Sequence, residues 1–346
     1  MKLLLQILSQ QMKSGLKLVK PVNIWNKLPK PFFVLAPMDD VTDTVFRQVV
    51  ASCAPPDLFF TEFVNVEALQ SQGREKTLPR LRLDSKHEHP IIAQIWGLNP
   101  EHFYKTAQEL GQMGYDGIDL NFGCPDKNVA RNGACSAFIL PENRARAVEI
   151  IQATQEGSGS LPVSAKTRLG YNQVDLSWHE LLLRQKLNAL TIHGRTKKQM
   201  SKVPADWDKI AEVRALRDQL FPATKIIGNG DVLTRRQGLE LAQKHDLDGI
   251  MIGRGIFSDP FVFAKNSPWL DMAPRERLEL YKRHVELFAS TWQHDERKVI
   301  TLNKFCKIYI NGFDGAKELR EQLMAARSTS DLLSILERAI KTTSTQ

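Results

Sequence analysis

The sequence predicts an α/β fold, a parallel (β/α)₈ TIM barrel with an appended C-terminal all-helical domain. Three observations predict it. From Phe32 onward, eight short apolar runs alternate with amphipathic stretches, as parallel strands joined by crossover helices do. Each run ends in polar residues, which suits barrel strands whose C-terminal ends build a site; a doubly wound sheet gives no reason for that repetition. Beyond residue 266 helical patterns continue and no convincing strand follows.

In order, strands are expected at FFVLA (32–36), DLFFTE (57–62), PIIAQIW (90–96), GIDLNF (117–122), PVSAKTR (162–168), ALTIHG (189–194), KIIGNG (225–230) and DGIMIG (248–253). Between them PEHFYKTAQELGQM, NRARAVEIIQATQ, LSWHELLLRQKL, PADWDKIAEVRALRDQL and TRRQGLELAQKH read as helices. The connection 63–89 is long, charged and proline-containing, and is expected to carry an insertion. In the tail, PRERLELYKRHVELFAS, NKFCKIYIN, AKELREQLMAAR and SDLLSILERAIKT read as helices. Leu332, Leu333, Leu336 and Ile340 fall at helical spacing behind a Ser330 cap and form core, not a functional surface. The expected division is an N-terminal extension (1–30), a barrel (31–266) and a helical domain (267–346).

A length of 346 residues suits a barrel of about 250 residues plus a small domain. Hydrophobic and charged fractions of 42% and 25% are those of an ordinary soluble globular protein and exclude disorder on that scale. A net charge of +8 and a pI near 9.2 favour a polyanionic partner, though weakly on their own. Cys53, Cys124, Cys135 and Cys306 show no CxxC or Cys/His ligand spacing, which argues against a disulfide framework or a structural zinc. No metal is expected, and reduced thiols in the cytoplasm are the simplest reading. No apolar run approaches the roughly 20 residues of a membrane span. The apolar start Leu3–Leu5 breaks at Gln6 with no small-residue cleavage site after it, so no signal peptide is expected. Nothing demands an oligomer, and a monomer is expected.

The chemistry lies at the strand ends. They close, in order, on Ala36-Pro37-Met38-Asp39, Gln94, Asn121 with Cys124, Lys166 with Arg168, His193 with Arg195, Asn229 to Asp231, and Gly253-Arg254. In a barrel these scattered groups converge on one pocket, and polar groups are unwelcome there unless something satisfies them. The turns GNGD and GRG after the seventh and eighth strands match a phosphate site built from backbone N–H groups, to which Arg254 adds a charge-assisted contact. Lys166 and His193 are placed to face the ring of a bound cofactor, where a cation would stabilise a reduced flavin. The competing reading pairs Lys166 with an acidic barrel residue.

The segments APMDDVTDTVFR (36–47), AQIWGLNP (93–100), GIDLNFGCP (117–125), SAKTRLGY (164–171), LTIHGRT (190–196), IIGNGDV (226–232) and IGRGIFSDPFVF (252–263) resemble, in order and spacing, the tRNA-dihydrouridine synthases. The match covers about 32–265, and the tail resembles that family's C-terminal helical domain. The resemblance implies an FMN-binding catalytic barrel and a tRNA-binding helical domain. It places Pro37, Met38 and Asp39 on FMN, with Gln94, Lys166 and His193 around the isoalloxazine. The phosphate would lie on Asn229, Gly230, Asp231, Gly253 and Arg254, with Cys124 as general acid, Asn121 near the target base, and Arg168 and Arg195 lining the substrate pocket.

The implied reaction reduces the C5=C6 bond of a uridine in tRNA, with hydride to carbon 6, a proton to carbon 5, and NADPH or NADH as reductant. A cysteine of ordinary pKa, about 8.5, is mostly thiol at neutral pH and suits the acid role. The buried inert cysteine is the commoner fate, and it is the expectation for Cys53 and Cys306. The base would be extruded into the pocket, with phosphates held collectively by cations such as Lys127, Arg131, Lys197, Lys198, Lys304, Lys307 and Arg320. Two residues depart from the family pattern: Asp40 and Cys135 each stand where glycine is usual, and Cys135 is not expected to be the acid. The alternatives are an FMN barrel acting on a free pyrimidine or enoate, a catalytically silent RNA-binding barrel, and a ribosomal RNA target.

Overall fold

The computed structural model describes residues 23–293 and 296–343; residues 1–22 of the expected N-terminal extension lie outside them. Eight parallel strands form one sheet: β1 (Phe32–Leu35), β2 (Phe59–Asn65), β3 (Ile91–Trp96), β4 (Gly117–Phe122), β5 (Val163–Arg168), β6 (Ala189–His193), β7 (Lys225–Asn229) and β8 (Gly249–Ile252). They pair in the order β2-β3-β4-β5-β6-β7-β8-β1. The ring closes where Val34 bridges Leu58: the Leu35 N–H donates to the Leu58 carbonyl at 3.3 Å and the Asp57 N–H to the Phe33 carbonyl at 2.9 Å.

Alternation within each strand divides the apolar residues between two cores. Phe32 and Val34, with Phe60, Ile92, Ala189, Ile227 and Met251, fill the barrel interior, and Trp25 packs on Phe32 at the strands' N-terminal ends. Residues 23–30, assigned to the extension, are therefore partly a plug for the barrel. Phe33 and Leu35 point the other way, into the layer beneath the helices. Gly249 has no freedom here, because a Cβ would stand 2.3 Å from the Phe32 ring.

The barrel helices are α1 (Thr44–Cys53), α2 (Pro100–Leu110), α3 (Arg144–Gly157), α4 (Leu176–Arg184), α5 (Trp207–Leu220) and α6 (Arg235–Lys244). The last five occupy the expected segments. Helix α1 was not assigned from sequence; Asp43 caps it by accepting the Phe46 N–H at 2.9 Å, and Val45, Phe46, Val49 and Val50 bury its inner face. The connection 63–89 is more ordered than an insertion. Strand β2 runs through a register shift to Asn65, and helical turns at Val66–Leu69, Arg74–Thr77 and Leu78–Leu81 follow. The segment is fastened by a fully buried ion pair, Arg47 with Glu88, in which Arg47 also donates to the carbonyls of Thr42 (2.6 Å) and Arg82 (2.7 Å).

The tail forms α7 (Pro274–Thr291), α8 (Asn303–Tyr309), α9 (Ala316–Ala325) and α10 (Thr329–Thr343). Leu332 and Leu336 are buried and Leu333 and Ile340 pack partly against the core, as expected. The cap of α10 is Ser328, not Ser330: its Oγ accepts the Asp331 N–H at 3.0 Å, and Ser330 already lies in the first turn. Turns over 258–273 lead into this unit, which packs on the barrel through Phe46 and Phe305 (centroids 4.7 Å apart) and through the Trp292 indole N–H donating to Asp43. No helix among the described residues is long and apolar enough to cross a membrane.

Candidate active site

Parallel register sets the site. Asn121 on β4 lies beside Lys166 on β5, and Arg168, His193 and Asn229 stand side by side on β5, β6 and β7. At this rim opens a cavity of about 590 Å³ lined by Pro37, Met38, Lys166, His193, Arg195, Asn229, Gly230, Asp231, Gly253 and Arg254, together with Ala36, Leu233 and Met251. Ten of the expected site residues thus meet in one place. Gln94, Asn121, Cys124, Arg168 and Asp39 do not line it, and each has a different reason.

Gln94 is fully buried within the strands. Its amide donates to Asp119 Oδ2 at 2.7 Å and accepts from Asn121 Nδ2 at 3.0 Å. Asn121 in turn accepts the N–H groups of Gly123 (3.1 Å) and Cys124 (2.9 Å), so it braces the start of the cysteine loop. Asp119 takes a second hydrogen bond from Ser164 Oγ at 2.6 Å, and burial raises its pKa to about 6. With both oxygens so engaged, Asp119 attracts the Lys166 charge without forming a direct ion pair with it. Among the described residues no hydrogen bond or ion pair holds its ammonium, and burial, then the Arg168 charge, lowers its pKa to about 8. The competing reading of Lys166 as half of a barrel ion pair therefore does not hold.

His193 is kept neutral: burial, then the charges of Lys166, Arg168, Arg195 and Arg254, drive its pKa far down. Its Nε2 lies 3.2 Å from Arg195 Nη1, which has only protons to offer, so Nε2 accepts and the ring proton sits on Nδ1. Arg195 is nearly inaccessible and also binds Asp231. Against the upward push of burial, Arg195 and the Ala205 N–H (2.9 Å) hold Asp231 below its ordinary pKa, with help from Arg254 at 3.6 Å. That carboxylate is turned toward arginines, so Asp231 offers an incoming anion its backbone, not its side chain. Gly230, at φ +138° with a would-be Cβ 2.6 Å from Ala205 Cβ, admits no other residue.

Arg168 is buried and spent on main chain: Nε donates to the Gly123 carbonyl at 2.8 Å, and Nη1 to Thr196 (3.2 Å) and Met200 (3.3 Å). It ties the cysteine loop to the loop after β6 through Nε and Nη1, because a buried guanidinium needs acceptors. Asp39 is exposed and pairs outward with Arg80, which also reaches Asp40 Oδ1 and the buried Glu62 at 3.0 Å each. Arg80 and Glu62 carried no signal in the sequence; both fasten the loop Asp39–Asp40 from outside the cavity.

Cys124 adjoins the cavity, half-buried and within range of the Lys166 and Arg168 charges. It is not the unperturbed thiol expected from sequence. The Cys135 side chain outweighs burial and lowers its pKa to about 7. Burial pushes the half-buried Cys53 thiol up to about 12 and raises that of the buried Cys306, the direction that disfavours a reactive thiolate. Of the candidate phosphate cations, Lys127, Arg131, Lys198 and Lys307 are exposed. Lys197 lies 4.8 Å over the Tyr171 ring, Lys304 donates to the Asp40 carbonyl at 2.9 Å, and Arg320 to Ile310 at 2.7 Å.

Comparison with known proteins is concordant. The family model described as Dihydrouridine synthase (Dus) matches residues 34–345. The chain is 46% identical over 318 residues to a "Probable tRNA-dihydrouridine synthase" of Staphylococcus aureus (strain Mu50), covering 91% of this chain and 95% of that protein. It is equally 46% identical over 319 residues to "Probable tRNA-dihydrouridine synthase 2" of Bacillus subtilis (strain 168), covering 91% and 96%. Among solved structures, morphinone reductase is similar at a TM-score of 0.52 and 13% identity over 70% of this chain and 87% of that one, a likeness of fold alone.

Proposed function

The chain belongs to the dihydrouridine synthase family, and on that premise we propose that it is an FMN-dependent tRNA-dihydrouridine synthase with NADPH as reductant. The observation that carries the reading is the Lys166 ammonium, held in no direct ion pair, beside neutral His193 in a cavity lined by two glycine turns, with the Cys124 thiol within range of its charge. A half-buried cation facing an open cavity with no direct counter-ion fits a flavin that carries negative charge when reduced. A volume of about 590 Å³ lies in the ordinary range for a cofactor site.

When bound, FMN supplies the hydride for carbon 6 of the uracil ring and is recharged by NADPH. The protein does the rest. Met38 and Pro37 would wall the ring on the β1 side, and Lys166 would set its positive charge toward it. The turns at Gly230 and Gly253 and the exposed Arg254 receive the phosphate. Asn121 and Arg168 fix the loop from which Cys124 gives its proton to carbon 5, and the half-buried thiol reloads from water. The helical domain 267–346 and the exposed lysines near the mouth hold the tRNA.

The visible spectrum of the purified protein tests this, with anaerobic NADPH added before and after unmodified tRNA. Flavin bands that bleach with NADPH and recover on addition of tRNA are expected. A flavin that reoxidises with a free pyrimidine or enoate but ignores tRNA moves the reading to a small-molecule reductase. No flavin after reconstitution with FMN overturns it.

A further inference from the structure

The cavity wall on the β1 side continues into a turn whose tip is held from elsewhere in the molecule. The Val41 and Thr42 N–H groups close on the Met38 carbonyl at 3.1 and 3.0 Å, with Asp39 and Asp40 at the centre of the turn. Met38 lines the cavity, so the pose of this turn sets that wall. Asp40 has a φ of +55°, in the left-handed region, which costs a residue that carries a Cβ. Such a backbone persists where its surroundings over-determine it, and both main-chain polar groups of Asp40 are taken from outside the turn. Its N–H donates to Glu62 Oε1 on β2 at 2.8 Å, and its carbonyl accepts from Lys304 Nζ on α8 at 2.9 Å. Glu62 is wholly inaccessible; its Oε1 also takes Arg80 at 3.0 Å, and its Oε2 takes Arg297. Arg297 follows α7, lies nearly buried with its guanidinium 5.0 Å over the Trp292 ring, and reaches Asp43 Oδ2 at 3.6 Å. Burial pushes Glu62 up to about 7, and the Arg297 charge is the first to oppose it, favouring the ionised form that is the stronger acceptor for the Asp40 N–H.

We propose that Lys304 and Arg297 are positioning residues for the flavin: they hold the main chain of Asp40, Lys304 at its carbonyl and Arg297 through Glu62 at its N–H, and so set the Met38 wall against the isoalloxazine. The proposal rests on the cavity being an FMN site, as in the function proposed above. Neither residue lines the cavity, so both act through Asp40 and not on the ring. Lys304 was expected among the cations that hold phosphates, but its ammonium is directed at the turn, onto an acceptor 264 positions back in the chain. Each cation alone would leave one side of Asp40 loose; together they fix both, which a left-handed residue flanking a cofactor wall requires. Both come from the tail beyond the barrel, which thereby contributes to cofactor binding without touching the cofactor.

The test is the FMN affinity of the full-length, flavin-free protein, read by quenching of flavin fluorescence, with the visible circular dichroism of the bound flavin beside it. Lys304→Met keeps the apolar stem, removes the donor and lies at an exposed position, so it should fold. It should weaken FMN on the order of fivefold, the fold-change that one net hydrogen bond carries, and change the dichroism of the flavin that binds. Lys304→Arg restores a donor and should recover most of both. Lys317→Met, the same loss of charge at an exposed position on α9, should bind FMN as the wild type does. Arg297→Met should act in the same direction as Lys304→Met, with Glu62 still paired to Arg80. With FMN saturating, Lys304→Met should reduce tRNA more slowly while KM for tRNA and the salt slope of tRNA binding stay unchanged. Wild-type FMN affinity and dichroism in Lys304→Met overturn the proposal. A salt slope lowered by about 1 with FMN affinity unchanged overturns it too, and makes Lys304 a phosphate contact. Wild-type protein that takes no FMN overturns the flavin reading of the cavity and the positioning role with it, a failure distinct from the other two.

Discussion

At the scale of single residues, the site is a set of charges held away from their ordinary states. Cys124 must be protonated to act as an acid, and its pKa is about 7; uracil reduction should therefore fall as pH rises through about 7, read as single-turnover flavin reoxidation by tRNA. A rate flat from mildly acidic to alkaline pH would exclude Cys124 as the donor. Lys166 carries the opposite sign. Its pKa of about 8 lies below the unfolded value of about 10.4, so between the two the unfolded chain binds more protons and stability rises with pH. Below that window the ammonium weakens the flavin-free fold by on the order of 1–3 kcal/mol. Lys166→Met should therefore raise the melting temperature of the flavin-free protein while weakening FMN at least tenfold, a loss of about 1.4 kcal/mol or more. Differential scanning fluorimetry and flavin fluorescence titration check the two halves separately. Asp40, at φ +55°, is a milder case. Asp40→Gly relieves a left-handed backbone and loses the half-exposed contact to Arg80 and a longer one, 3.8 Å, to Arg297, so a net gain of about 0.5 kcal/mol is expected in urea unfolding.

At the scale of elements, the connection after β2 is held by the Arg47–Glu88 pair, which is wholly inaccessible. Replacing Arg47 by Met leaves a buried carboxylate with the Thr44 hydroxyl and the Asp84 N–H but no counter-ion, and a loss of about 3–5 kcal/mol is expected from denaturant unfolding; a loss below about 1 kcal/mol would show that water or rearrangement satisfies Glu88. This connection also marks where the sequence stopped being legible. The eight strands were readable because both faces are buried, leaving short, nearly continuous apolar runs such as GIDLNF and GIMI. The strand-end residues followed, since barrel geometry converts their order into a ring. Helix α1 was not, because its apolar pairs Val45-Phe46 and Val49-Val50 sit behind an acidic, turn-like start whose capping role appears only once Asp43 meets the Phe46 N–H. Arg80 reaches Asp40 across forty positions with no periodicity to announce it. Arg168 and Arg195 were expected to line the substrate pocket, and Arg195 does line the cavity; their ties to main-chain carbonyls carry no signal in a sequence.

At the scale of the molecule, the barrel and the tail helices do not act as separable pieces. One apolar cluster runs from Phe46 on α1 to Phe305 on α8 and Leu332 on α10. Across the same seam Arg297 binds the buried Glu62, and Lys304 holds the Asp40 carbonyl. The loop that walls the proposed flavin site is thus in direct contact with the unit proposed to hold tRNA. The basic charge of +8 acts collectively, and exposed Lys127, Arg131 and Lys198 lie on loops after β4 and β6, near the cavity mouth. Phosphate contacts release counterions, so tRNA affinity should fall linearly with salt on a log–log plot while FMN, held in a cavity, should respond far less. The double variant Lys127→Ala, Lys198→Ala separates this from a general charge effect. It should lower the slope by about 1 for each lysine that touches a phosphate and weaken all tRNAs alike. The same fall in affinity with an unchanged slope would place those lysines in the protein's own structure, and would move the RNA path away from the loops after β4 and β6.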